Sequence, residues 1–263
     1  RQFQSGPSSN PLESWMSQEI EIPTNRSEQA SMAARIPASL WFAMIYPFML
    51  TVFYFLFMNG QDTGSQNTVF SILKLIQFAF PLVFAFLICR ESIELPIWKK
   101  PAIKLGLTFG VVVLIAALVI YFGLLKGSAP YFHLKSKVLA KVNGFGLNTL
   151  WAYGAFATFY SLIHSGMEEY YWRWFVYRRL SRTVPESVAI ALSSLSFMAH
   201  HVVLMVVFFG LTSPLAYLFS FGVAIGGGVW AWLYGRSGNF LAAWLSHAVV
   251  DMALFIIGYD LIF

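Results

Sequence analysis

The sequence has few charged residues and a single cysteine. Only 11% of its 263 residues are charged and 58% are hydrophobic, whereas a typical soluble domain has about 25% charged residues. This composition excludes an ordinary water-soluble domain. Cys89, the one cysteine, cannot form an internal disulfide and leaves no cysteine cluster for zinc or an iron–sulfur centre.

Long apolar runs make up most of the chain. Residues 40–58 and 105–125 contain no charged side chain. At about 1.5 Å per residue, runs of this length cross the roughly 30 Å of bilayer hydrocarbon. A transmembrane barrel would instead need segments of about ten residues with alternating polarity. The sequence therefore predicts an all-α, polytopic transmembrane bundle of about seven to eight helices, with spans at 40–58, 68–89, 105–125, 150–177, 188–209, 213–234 and 239–262.

Composition divides the chain into three parts. Residues 1–39 are rich in Ser, Gln, Glu and Pro, which predicts a polar, flexible extension. Residues 40–146 hold the first transmembrane helices. Residues 147–263 hold the remaining helices, and with them most of the ionisable groups that fall inside apolar runs.

The basic residues orient the bundle. Residues 90–104 contain four basic side chains and residues 166–187 contain four arginines, whereas residues 59–67 contain none. The positive-inside rule places the first two segments in the cytoplasm, and we expect a bacterial inner membrane. The basic segment 126–146 does not fit this scheme and could contain a further short helix.

Two carboxylates and two histidines are expected at one depth. An ionisable residue inside a membrane span costs roughly 2.5–3.5 kcal/mol and is a functional candidate by default. Counting from the predicted cytoplasmic helix ends puts Glu168, His201, His247 and Asp251 about 12–20 Å into the membrane. His247 and Asp251 also share a helix face, because they are four residues apart.

The other ionisable residues in apolar runs have simpler interpretations. Glu169 and Arg173 are predicted to form an ion pair on one helix surface. His164, one turn before Glu168, is interpreted as a hydrogen-bonding residue of the bundle. Lys74 and Asp260 lie near predicted span ends, where a side chain can reach the interface.

The predicted layer contains the groups that peptide hydrolysis needs. A carboxylate beside a histidine can take a proton from water, which makes the nucleophile. A second histidine and a polar partner one turn away can then stabilise the oxyanion that develops on the carbonyl. The residues alone therefore favour intramembrane proteolysis.

Three sequence motifs support this interpretation. Residues 168–173 match E-E-x-x-x-R, residues 197–201 match F-x-x-x-H, and residues 247–251 match H-x-x-x-N/D. Their order and spacing resemble the CPBP family, which comprises CAAX prenyl endopeptidases and bacteriocin-processing (Abi) intramembrane proteases and is related to the Ras-converting enzyme. The resemblance covers about residues 150–260.

The resemblance implies a role for each motif residue. Glu168 and His201 would activate water, and His247 and Asp251 would form the oxyanion side. Glu169 and Arg173 would support them.

Two positions depart from the simple pattern. The spacing from Phe197 selects His201, and His200 would point about 100° away on the helix, so we interpret His200 as a supporting residue. Asp251 stands where many relatives have Asn. Because a carboxylate donates no hydrogen bond unless it is protonated, Asp251 would favour metal binding or would orient His247.

The preferred mechanism requires no cofactor, and zinc is the alternative. His201, His247, Asp251 and Glu168 are chemically adequate zinc ligands. Against this, a metal-bound Glu168 would no longer serve as the base.

The sequence gives little support to other protease classes. No H-E-x-x-H metalloprotease motif occurs. Residues 235–238 spell the G-x-S-G of rhomboid serine proteases, but they lie in a predicted turn only ten residues before His247. The principal alternative is a protease-inactive family member that acts as a membrane scaffold, an immunity protein or a haem- or pigment-binding partner in a larger membrane complex, although haem binding leaves Glu168 unexplained.

Further expectations concern partners and packing. The predicted partners are the lipid bilayer and a peptide or membrane-protein substrate, and the eukaryotic branch of the family implies a prenylated one. Nucleic acid is not a predicted partner, because much of the positive charge lies in short loops. Gly222, Gly226, Gly227 and Gly228 predict a close helix-packing face, the first two at G-x-x-x-G spacing.

Overall fold

The computed structural model describes residues 37–58, 60–91 and 99–263. Those residues form eight helices and no strand, so the predicted all-α class and the number of helices are confirmed. Nearly all of the predicted extension 1–39 lies outside the described residues. The helices are α1 (Ala38–Phe57), α2 (63–88), α3 (Lys100–Leu125), α4 (Ala129–Gly144), α5 (150–180), α6 (Glu186–Phe209), α7 (Pro214–Ser237) and α8 (Leu241–Ile262).

Six of these helices are long and apolar enough to cross a membrane, namely α1, α2, α3, α6, α7 and α8. The protein is therefore an integral, multi-pass membrane protein. The predicted fourth span lies within α5, which is continuous but rich in polar groups. The short helix suspected in segment 126–146 is confirmed as α4.

Helix ends follow from local side chains. The Asp62 carboxylate accepts a hydrogen bond from the Ser65 amide at 2.8 Å and so caps α2. Hydrogen bonding to Ser65 also lowers the pKa of the Asp62 carboxyl. Gly238 ends α7 with a left-handed backbone (φ 75°), which glycine adopts at no steric cost.

Helix α5 contains two stretches of π-helix, Phe159–His164 and Tyr170–Tyr177. Between them lies one short α-helical stretch, Ser165–Glu169, which carries two adjacent glutamates. In α1, α2 and α3 the π-helical turns occur only at the C-terminal ends. π-helical turns inside a helix are frequent at functional sites, and here they flank Glu168 and Glu169.

Helix α5 lies at the centre of the bundle. It packs against α1, α2, α6, α7 and α8. Tyr171, Trp172, Arg173, Phe175 and Val176 are fully buried. Most of the apolar core is thus built around the helix that carries Glu168.

Two pairs of helices pack closely through glycine. A Cβ atom on Gly106 of α3 would collide with the Ala242 carbonyl oxygen of α8, and one on Gly110 would lie 2.8 Å from the Ser246 carbonyl oxygen. On α7, a Cβ at Gly227 would lie 3.3 Å from the Phe197 ring of α6. Glycine is therefore required for these close approaches.

The prediction that Gly222 forms part of a packing face is wrong. Gly222 is exposed, and no neighbouring atom lies within 4 Å of where its Cβ would be. The face of α7 that packs on α6 is the one that carries Gly227. The pair at G-x-x-x-G spacing that does make a close contact is Gly106 and Gly110 of α3, which the sequence analysis did not single out.

Candidate active site

The motif residues converge from three helices. Helix α5 contributes Glu168, Glu169 and Arg173, α6 contributes His200 and His201, and α8 contributes His247 and Asp251. Glu168, Glu169, Arg173, His200 and His247 are all buried. Side chains from three separate helices therefore form one buried cluster around Glu168.

Three imidazole rings surround the carboxylate of Glu168. Its Oε1 lies 3.8 Å from Nε2 of His200 and 3.9 Å from Nε2 of His164, and its Oε2 lies 3.8 Å from Nε2 of His247. Each distance is longer than a direct hydrogen bond. A water molecule or a substrate oxygen can bridge polar groups at such separations.

The expectation that His200 points away from Glu168 is wrong. Helix α6 turns its buried Phe197 and His200 towards α5, so the residue three positions after Phe197 reaches the carboxylate. The half-buried His201 donates from Nδ1 to the Phe197 carbonyl oxygen at 2.9 Å and, within the described residues, makes no ion pair with Glu168. Which of the two histidines takes part in the reaction stays a prediction.

Glu169 connects Arg173 to His247. Its Oε2 lies 3.0 Å from Nε of Arg173, and its Oε1 accepts a hydrogen bond of 2.8 Å from Nδ1 of His247. Glu169 and Arg173 have 0% exposure. The predicted ion pair therefore exists, but it is buried in the bundle and holds His247, instead of lying on a helix surface.

Aromatic rings contact the His247 ring and the Arg173 guanidinium on the sides that Glu169 does not bind. The Trp230 ring of α7 stacks on His247 with centroids 4.2 Å apart and planes 15° apart, and its Nε1 donates to the Ser246 hydroxyl at 3.1 Å. The Arg173 guanidinium lies 5.1 Å from the Phe197 ring centroid and 5.5 Å from that of Trp230. The His247 ring is thus held in its plane by stacking and in its rotation by Glu169.

Asp251 lies on the same face as His247, as the four-residue spacing predicts. Its Oδ1 is 3.6 Å from Nε2 of His247. Glu168 and Asp251 therefore approach the same ring nitrogen, while Glu169 binds the other. His247 lies between three carboxylates.

His164 is a neighbour of Glu168 that the sequence analysis set aside. Its ring stacks on Tyr160 at 4.6 Å and meets the Phe78 ring of α2 edge-on at 6.0 Å. The four-residue spacing from Glu168 was the available signal. That spacing did not show that the helix face of His164 points into the cluster.

The four candidate zinc ligands are Glu168, His201, His247 and Asp251. Among the described residues, no group of three or more His, Cys, Asp or Glu side chains is arranged to hold a metal ion. His201, one of the four candidate ligands, makes no ion pair with Glu168 in that part of the chain. As arranged, the four side chains do not form a ligand set, and whether a metal takes part stays a prediction.

Asp260 and Lys74 are the two ionisable residues that the sequence analysis placed near span ends. Asp260 lies near the end of α8, as expected, and binds Tyr121 and Lys126. Helix α2 begins earlier than the predicted span, but its first residues, 63–67, are polar. Lys74 lies within the Gly64–Ile88 span and close to the start of its apolar run, so its placement near the end of the apolar run stays a prediction.

Comparison with known families agrees with the motifs. Residues 149–253 match the family model described as "Type II CAAX prenyl endopeptidase Rce1-like". The matched segment begins just before α5 and ends just after Asp251, so it includes all three motifs. Neither a curated protein nor a solved structure gives a significant match.

Proposed function

We propose that the protein is an intramembrane endopeptidase in which a glutamate activates water, on the premise that residues 149–253, which match the Rce1-like family model, form a domain of the CPBP family. The substrate class is a peptide or membrane-protein segment at the membrane, and the family makes a prenylated tail the first candidate. The arginine-rich segment 166–187 would face the cytoplasm of a bacterial inner membrane. The observation that carries the proposal is the set of three imidazoles around one buried carboxylate.

Glu168 serves as the base. A water molecule between Glu168 and His200 gives its proton to the carboxylate, and the resulting hydroxide attacks the carbonyl carbon of the scissile bond. The tetrahedral intermediate then expels the amine, which takes the proton back from Glu168. Oε1 of Glu168 and Nε2 of His200 are 3.8 Å apart, so one water molecule beside the pair can hydrogen-bond to both atoms and be oriented by them.

His247 stabilises the oxyanion. Its Nδ1 donates to Glu169, so a ring that also carries a proton on Nε2 can donate to the carbonyl oxygen as negative charge develops there. Trp230 holds the plane of the ring in place. Asp251, close to the same nitrogen, orients the ring and its proton.

The proposal requires no metal ion. The four candidate zinc ligands, Glu168, His201, His247 and Asp251, do not form a ligand set as arranged among the described residues, and no step of the proposed mechanism is assigned to a metal. Glu168 activates the water.

The test is cleavage of a prenylated peptide by the full chain reconstituted in liposomes. The reaction is run in ¹⁸O-labelled water and the products are analysed by mass spectrometry. One ¹⁸O atom in the new C-terminal carboxylate, present with wild type and absent with Glu168→Gln, is the expected result. No cleavage by folded wild-type protein of prenylated or unprenylated peptides would contradict the proposal and favour the scaffold alternative.

A further inference from the structure

Lys74 is an intramembrane cation for which the proposed reaction has no use. It lies within the Gly64–Ile88 span, five residues after the apolar run begins at Val69. A cation inside a membrane span is costly and marks a functional site by default.

Lys74 has no carboxylate partner in the part of the chain that the structure describes. Its ammonium lies instead over two aromatic rings, 5.7 Å from the centroid of Phe70 and 5.4 Å from that of Phe78. Arg173, by contrast, is paired with Glu169. The aromatic contacts stabilise the ammonium and leave its charge available to an anion.

The Phe78 ring connects Lys74 to the candidate active site. It meets His164 edge-on at 6.0 Å, and Nε2 of His164 is 3.9 Å from Glu168. The Tyr170 hydroxyl donates to the Phe78 carbonyl oxygen at 3.3 Å, which ties α2 to α5 beside the site.

Gln77 lies one turn further along α2. Its side chain has 1% exposure, and neither amide atom has a hydrogen-bond partner among the described residues. A buried amide without partners is costly. A carboxamide both donates and accepts, so it can pair with the peptide group of an extended chain.

We propose that Lys74 and Gln77 form the subsite that binds the free C-terminal end of a peptide substrate. Lys74 binds the terminal carboxylate, and Gln77 binds an adjoining peptide group. The inference rests on the proposed function, because it specifies which end of the substrate is recognised. Glu168, Glu169 and Asp251 repel a carboxylate from the reacting centre, so the substrate's terminus is held on the α2 side.

The experiment compares two peptides of identical sequence, one ending in a carboxylate and the other in a carboxamide. Both are offered to the full chain in liposomes. We expect wild type to prefer the carboxylate peptide at least about tenfold in kcat/KM, mainly through KM, which is the effect of one charge-assisted hydrogen bond. Lys74→Met should reduce this preference to near one, whereas Lys74→Arg should keep most of it.

Lys141→Met is the matched control. The Lys141 ammonium also lies over two rings, 5.2 Å from Tyr54 and 5.1 Å from Phe55, but on α4, which carries no motif residue. This variant should retain the carboxylate preference. Gln77→Leu should raise KM for both peptides.

Three results would overturn the inference. The first is an equal kcat/KM of wild type for the two peptides. The second is a preference for the carboxylate peptide that survives in folded Lys74→Met. The third is an equal slowing of both peptides by that variant, which would make Lys74 a counter-charge for Glu168. If wild type cleaves neither peptide, the proposed function fails separately. Binding of a non-hydrolysable pair of peptides then tests the subsite: tighter binding of the carboxylate form, lost in Lys74→Met, supports it, and equal binding contradicts it.

Discussion

Two polar clusters join α8 to other helices, and their geometry differs. Near the end of α8, Asp260 accepts a hydrogen bond of 2.7 Å from Tyr121 and lies 2.6 Å from the Lys126 ammonium, so both carboxylate oxygens are bound directly. Around Glu168, the approaches to the imidazole nitrogens are all 3.8–3.9 Å. The Asp260 cluster is closed and holds helices together. The Glu168 cluster is open and retains the capacity to bind a water molecule or a substrate.

The sharpest test of this difference removes one carboxylate charge from each cluster. Glu168→Gln keeps the side-chain volume and removes the base, so activity should fall at least about a hundredfold, the usual contribution of a general base. Asp260→Asn should retain activity and cost below about 1 kcal/mol of stability, because Lys126 is 43% exposed. Peptide cleavage and thermal unfolding in liposomes measure both effects. Similar losses of activity in the two variants would erase the distinction between the clusters.

A second test separates the two histidines of α6. His200 approaches Glu168, whereas His201 donates to its own helix. His200→Ala should therefore lower kcat about tenfold more than His201→Ala does. The reverse order would support the role that the family motif implies for His201, and would mean that α6 turns when substrate binds.

A smaller effect is expected at Glu169, which belongs to the closed part of the site. Glu169→Gln keeps an acceptor for Nδ1 of His247 but leaves the buried Arg173 without a counter-charge. We expect measurable activity, about tenfold reduced, and a lower unfolding temperature. Complete loss of activity in a folded Glu169→Gln protein would make Glu169 as important as Glu168. Adding Arg173→Met to Glu169→Gln should restore part of the stability.

The smallest expected effect is that of chelation. If the open cluster binds water and no metal, exhaustive chelation should leave turnover unchanged, and elemental analysis should find no stoichiometric zinc. Near-stoichiometric zinc whose removal and return switch turnover off and on would overturn the metal-free mechanism. That result would also show that the long separations around Glu168 close on a cation.

Sequence patterns predicted the helices and the residues of the site better than they predicted which face each helix turns towards its neighbours. Runs of apolar residues predicted the helices because only helices and closed barrels satisfy every backbone hydrogen bond across a membrane, and these runs are too long and too uniformly apolar for barrel strands. The four-residue spacings gave the His247–Asp251 and Glu169–Arg173 contacts. Both contacts join residues of the same helix, so they depend only on the spacing along that helix.

Tertiary packing decided what the sequence could not show. His200 reaches Glu168 because of how α6 is rotated about its axis, with Phe197 of α6 packed against Gly227 of α7. The π-helical stretches on both sides of Glu168 change the angle per residue, so counting at 100° per residue fails along α5. The first turns of α2 were not predicted as helix, because they are polar and belong to no apolar run.

The glycine contact between α3 and α8 has a consequence for how the protein responds to its lipid environment. Gly106 and Gly110 let the backbones of Ala242 and Ser246 lie directly against α3, and Ser246 precedes His247 in the chain. At Gly106 the two helices meet backbone to backbone, and at Gly110 only the Cβ of Val249 lies beside the Ser246 backbone, so little side-chain movement can absorb a shift and α8 follows α3 when α3 tilts. Helices tilt to match the thickness of the bilayer. Turnover should therefore vary with the acyl-chain length of the membrane, although α3 contributes no group to the reaction.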